Sequence, residues 1–95
     1  MIFKEFRESL EHNDTPVNLT LSLQALWQEA KGNWDQGHKL AAQEGGSDGA
    51  WVHAYLHRKE EDIGNASYWY SRAGKPVSKL SLDEEWEEIV KALLE

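Results

Sequence analysis

Cysteine is absent from the 95 residues. That removes disulfides, thiolate zinc sites and cysteine nucleophiles together, so the fold must be held by its own core. Basic charge is scarce: ten Lys and Arg stand against seventeen Asp and Glu, for a formal net charge of −7. Neutralising a phosphate backbone takes clustered cations, and no window gathers them, so nucleic acid is not an expected partner. Long apolar runs are missing too. None approaches the roughly 20 residues of a membrane span, and Met1–Leu10, with Lys4, Glu5, Arg7 and Glu8, does not resemble a signal peptide. The expectation is a cytoplasmic protein with no membrane partner. Catalytic signatures are equally thin. There is no Gly-x-Ser-x-Gly elbow, and Gly45-Gly46 precedes a helix without the Gly-x-x-x-x-Gly-Lys pattern of a phosphate cradle. No enzyme activity and no cofactor are expected.

What the chain does have is large apolar side chains: five Trp, three Tyr, two Phe and many Leu. A chain of this length fits one domain and buries roughly 60–65% of its unfolded surface, enough for a modest core.

Helical periodicity dominates. Ile2, Phe3, Phe6 and Leu10 predict a short helix over Met1–Glu11, interrupted at His12-Asn13-Asp14. Thr15-Pro16 is a second start, with Thr as N-cap and Pro in the first turn. Leu19, Leu23, Leu26, Trp27 and Ala30 then mark one face of a helix ending at Gly32. Asn33 with Gln36 predicts a capping-box-like start for the next helix, which carries Trp34, Leu40 and Ala41 and ends at Gly45-Gly46. Ser47 or Asp48 opens a helix with Trp51, Val52, Tyr55 and Leu56. Asp62 opens another, with Ile63, Ala66, Trp69, Tyr70 and Ala73, ending at Gly74. Lys75-Pro76-Val77 is linker-like. Ser81-Leu82-Asp83-Glu84 is a capping box, followed by the stripe Leu82, Trp86, Ile89, Val90 and Leu93. The acids of Asp83–Glu88 read as capping and as a solvated face. No segment alternates with period two, so no strands are expected.

Sliding the chain by 29 residues places Leu23 on Val52, Ala25 on Ala54, Leu26 on Tyr55 and Trp27 on Leu56. The same shift places Trp34 on Ile63, Gly37 on Ala66 and Leu40 on Trp69. Large meets large and small meets small, the pattern of a repeated helix hairpin. The stretch Asp62–Ala73, with Ala66, Trp69-Tyr70, Arg72 and Ala73, resembles the second helix of Sel-like repeats, relatives of the tetratricopeptide repeats that end in Ala-x-x-Trp-Tyr-x-Lys-Ala-Ala. Gly32-Asn33-Trp34 is similar to that family's Gly-x-Tyr turn. The string Ala50–Glu60 with Tyr68-Trp69-Tyr70 also resembles that of a small protein family, without implying an activity. The resemblance implies an all-α fold of two tetratricopeptide-like hairpins, about 16–45 and 47–74, in a single domain over 1–95. The N-terminal helix and a C-terminal helix, about 82–94, would cap it, because solenoids need about three repeats to stand alone.

Two functional expectations follow. The first is a protein-interaction module holding an unknown protein or peptide partner, with Trp51, His53, Tyr55, His57, Arg58, Tyr68 and Arg72 as contact candidates, since aromatics and Arg dominate binding hot spots. A homodimer through the Leu82–Leu94 stripe is an alternative use of the surface. The second is a small-molecule or metal-binding protein. His53 and His57 stand four apart on one helix face, and His38 would have to supply a third ligand across the hairpin. The zinc-protease His-Glu-x-x-His pattern is absent.

Overall fold

The clearest sequence signal forms as expected. The Glu84 amide donates to Ser81 Oγ and the Ser81 amide to Glu84 Oε1, both at 3.1 Å. This reciprocal pair satisfies two amides that helix geometry leaves without partners. It opens the last of six helices in the computed structural model, which describes residues 1–95. These are α1 (Phe3–Ser9), α2 (Leu21–Ala30), α3 (Trp34–Gln43), α4 (Ser47–Lys59), α5 (Ile63–Ala73) and α6 (Leu82–Leu94). The fold is all-α. No helix is long and apolar enough to cross a membrane.

Two starts and one cap differ from the sequence reading. Helix α2 begins at Leu21 rather than at Pro16, because Thr20 is the N-cap and its Oγ1 accepts from the Leu23 amide. The preceding residues form a turn with Asn18 in the left-handed region (φ 64°), and Thr15 Oγ1 instead accepts from Gln28 Nε2. Asn33 is the N-cap residue of α3 but makes no capping bond; its Nδ2 donates to Gln28 Oε1 at 3.0 Å. Helix α4 is opened by Gly46, at φ 91°, with Ser47 already inside the helix.

Helices α2 and α3 form one antiparallel hairpin, α4 and α5 a second, and α3 lies against α4 between them. The 29-residue shift is visible in the backbone. Helix α2 closes with Gly32 in the left-handed region, its amide donating to Glu29 O and the Asn33 amide to Gln28 O. Helix α4 closes with Glu61 in the left-handed region, its amide donating to Arg58 O and the Asp62 amide to His57 O. This is the same two-bond Schellman closure at equivalent positions. The small-residue equivalence also has a cause. A Cβ on Gly37 would sit 2.8 Å from the Ala25 carbonyl oxygen, closer than real contacts allow. Its counterpart Ala66 is fully buried.

The flanking helices close the structure. Helix α6 lies across α2 and α4, and α1 rests on α6. Phe3 and Phe6 pack on Trp86 with ring centroids 5.9 and 5.8 Å apart, and the Trp86 indole N–H donates to Leu26 O at 3.1 Å. The α6 stripe, with Trp86, Ile89 and Val90 buried, is therefore occupied by the chain's own helices. Glu85 departs from the solvated face expected for the acids of α6. It is fully buried, held by Arg58 Nη1 at 2.8 Å and by the Tyr70 hydroxyl at 2.5 Å.

Candidate metal centre

The seam between the two hairpins carries the histidines. Helix α3 contributes His38, one turn beyond Trp34, and α4 contributes His53 and His57, whose i,i+4 spacing stacks them on the face turned toward α3. The nitrogens that the three rings can offer all lie within 4.8 Å of one another. His38 Nε2 and His53 Nε2 are 2.8 Å apart, so one donates its N–H and the other accepts. The ring centroids lie 4.4 Å (His38–His53), 5.0 Å (His53–His57) and 5.4 Å (His38–His57) apart.

Two indoles wall the cluster. Trp34 stacks on His38 at 5.0 Å and is itself fixed by an indole N–H bond to Leu56 O at 3.0 Å. Trp69 stacks on His53 at 3.9 Å with the rings 5° from parallel. His53 is buried and the other two are half-buried. Burial, with His38 and His57 beside it, pushes His53 down to about 4. Burial first, then His38, also lowers His57. Both rings are thus neutral near pH 7 and keep a lone pair, the form that binds metal. Asp62 Oδ2 stands 3.6 Å from His57 Nδ1. The Asp62 carboxyl is held below its ordinary range by the Asn65 side chain, then by the Asn65 amide and His57.

Three imidazole nitrogens suit a borderline divalent transition metal. A tetrahedral ion with bonds of about 2.0–2.1 Å sets its ligands about 3.3 Å apart. The His38–His53 edge, at 2.8 Å, is shorter than that, and no edge exceeds 4.8 Å. Three protein ligands leave the fourth position to water or an exchangeable ligand.

The seven residues expected to contact a partner do not share one surface. His53 and His57 join the cluster. Trp51 and Tyr55 are buried, and Trp51 is covered by Lys75, whose Nζ sits 4.2 Å from the ring centroid. Burial, with Glu85 nearby, raises the Tyr55 phenol. Arg58 is turned to Glu85 beneath α6. The reason is the position of α6, which covers the α4 face that would otherwise line a groove. Tyr68 and Arg72 remain on the surface: Tyr68 is 52% exposed, and Arg72 Nη1 donates to its hydroxyl at 3.0 Å.

Trp34, read from sequence only as core, and Asp62, read only as a helix start, both belong to the surroundings of the cluster. Their signal was positional. Trp34 precedes His38 by one turn, and Asp62 follows His57 by the five residues of a Schellman closure.

No family model matches the chain, and no curated protein or solved structure is significantly similar to it.

Proposed function

We propose that the protein binds one borderline divalent transition metal ion, such as Zn²⁺ or Cu²⁺, through His38, His53 and His57. The observation that carries this reading is the convergence of three imidazoles from two helices within 4.8 Å. An i,i+4 histidine pair on one helix is compatible with ordinary packing; a third ring from a neighbouring helix makes a ligand set. Metal in this position ties α3 to α4, and so the first hairpin to the second. Binding to the folded state alone stabilises it by about 2.7 kcal/mol at a free ion concentration a hundredfold above Kd. Isothermal titration of untagged, chelator-stripped protein with Zn²⁺ tests the reading. One ion per chain and a raised Tm are expected, with both effects lost in His38→Ala. A flat titration of the wild-type protein defeats it.

A second reading, an interaction module, is supported by the exposed Tyr68 hydroxyl and the Arg72 guanidinium over its ring. That surface is narrower than the set drawn from sequence. Alanine at Tyr68 and Arg72 together should weaken capture of a protein partner tenfold or more if these two residues form its contact.

A further inference from the structure

The turn that ends α4 does two things at one residue. The Asp62 amide donates to His57 O at 2.9 Å, which closes the helix. The Asp62 side chain comes back against the same histidine, with Oδ2 3.6 Å from Nδ1. Glu61, at φ 60°, holds the left-handed conformation that makes this return possible, a conformation that side-chain-bearing residues seldom adopt.

The first hairpin supplies the control. Twenty-nine residues earlier, the Asn33 amide closes α2 on Gln28 O, and Asn33 Nδ2 donates to Gln28 Oε1 at 3.0 Å. Asn33 and Gln28 are the positional counterparts of Asp62 and His57. The same closure therefore brings the same two side chains together in both hairpins. In the first they are a neutral amide pair, neither of them a member of the histidine cluster. In the second they are a carboxylate and an imidazole, and that imidazole belongs to the three-histidine cluster.

Resting on the metal reading above, we propose that Asp62 is the orienting carboxylate of the site. It draws the proton of His57 onto Nδ1, leaves Nε2 as the ligand atom, and raises the basicity of that nitrogen. Metal-bound histidines commonly donate their second N–H to a carboxylate in this way, and losing the partner costs about 10–100-fold in affinity. Asp62 is a positioning residue, not a ligand. Its side chain also caps α5, accepting from the Asn65 amide at 3.4 Å and from Asn65 Nδ2 at 2.7 Å.

The two roles separate experimentally. Asn is as good an N-cap as Asp, and at the equivalent turn Asn33 starts α3 without any capping bond, so Asp62→Asn keeps the fold and removes the charge. Zn²⁺ titration of wild-type, Asp62→Asn, Asp62→Ser and His38→Ala proteins is combined with long-range ¹H–¹⁵N NMR of the histidine rings. The expected result is an apo His57 protonated on Nδ1 in wild type and a mixture of tautomers in both Asp62 variants. Zn²⁺ affinity should fall about tenfold or more in Asp62→Asn, with the circular dichroism unchanged. Wild-type binding with Asp62→Asn equally tight, or an apo His57 protonated on Nε2, overturns the role of Asp62 and leaves the metal site standing. Absence of Zn²⁺ binding in the wild-type protein overturns both.

Discussion

The two hairpins share a backbone plan and differ in what they do with it. Both close their first helix with a left-handed residue, Gly32 or Glu61, and both bring a side chain from the following residue back onto that helix. In the first hairpin this yields an amide pair, Asn33 with Gln28, and α2 gives its buried face to Leu23, Ala25, Leu26 and Trp27. In the second it yields Asp62 beside His57, and α4 buries His53 among its apolar neighbours. The counterparts of His53 and His57 in the first hairpin are Gln24 and Gln28, so both hairpins place polar side chains at these two positions, and only the second places imidazoles there. A buried imidazole needs a polar partner, and the first hairpin supplies one to His53 through His38. The chemistry therefore belongs to the second hairpin and is completed by the first.

The hairpins also differ in how α6 grips them, and the largest effect should come from breaking that difference. Against α2, α6 uses the Trp86 indole bond to Leu26 O; against α4 and α5 it uses the buried Arg58–Glu85–Tyr70 network. Arg58→Ala leaves Glu85 buried without its cation. Stability should drop by about 3–5 kcal/mol, read as a lower urea midpoint. A loss below about 1 kcal/mol would mean that the network contributes little to holding α6.

Acid should act next, and mainly on the second hairpin. His53 binds its proton near pH 4 in the fold and near 6.5 in the unfolded chain. Below about 6.5 the unfolded state thus takes up more protons, so the contribution of the neutral ring is complete above that pH and declines as pH falls toward 4. His57, lowered in the same direction, adds to the decline. The His53 shift alone should remove on the order of 2–3 kcal/mol between pH 7.5 and 4.5 in metal-free protein. Urea melts of wild type and His53→Gln at the two pH values measure it. An equal decline in both proteins would show that His53 does not carry the acid sensitivity.

The smallest stability change is expected from making the hairpins alike. His57→Gln with Asp62→Asn installs the first hairpin's side-chain pair in the second. Stability near neutral pH should shift by no more than about 1 kcal/mol, while the Zn²⁺ response disappears. A large unfolding effect would show that the histidine and carboxylate are needed for folding itself.

Much of this architecture is legible in the residues. The Ser81–Glu84 box, the Asp62 start, the Gly74 stop and the 29-residue correspondence each rest on local chemistry that the chain states directly. The start of α2 is not, because Thr15-Pro16 and Thr20 are both competent openings and the left-handed Asn18 turn decides between them. Glu85 is misread for a related reason. It sits three residues after Leu82 and four before Ile89, on the apolar stripe, and only the arrival of Arg58 and Tyr70 from other helices makes its burial tolerable. The histidines divide the same way. The His53–His57 spacing is a local fact, whereas His38 becomes a neighbour only through the packing of α3 on α4. Arg58 lies under α6 rather than on the surface because nothing in the periodicity of α6 states which helices its stripe will cover.

Co²⁺ spectroscopy is the most direct test of whether the α3–α4 seam assembles one metal site. Co²⁺-loaded wild-type protein should give the intense visible bands of a tetrahedral, nitrogen-ligated ion at one equivalent per chain, and His38→Ala should lose them. A weak octahedral spectrum that His38→Ala leaves unchanged would contradict the convergence of the three histidines on one ion.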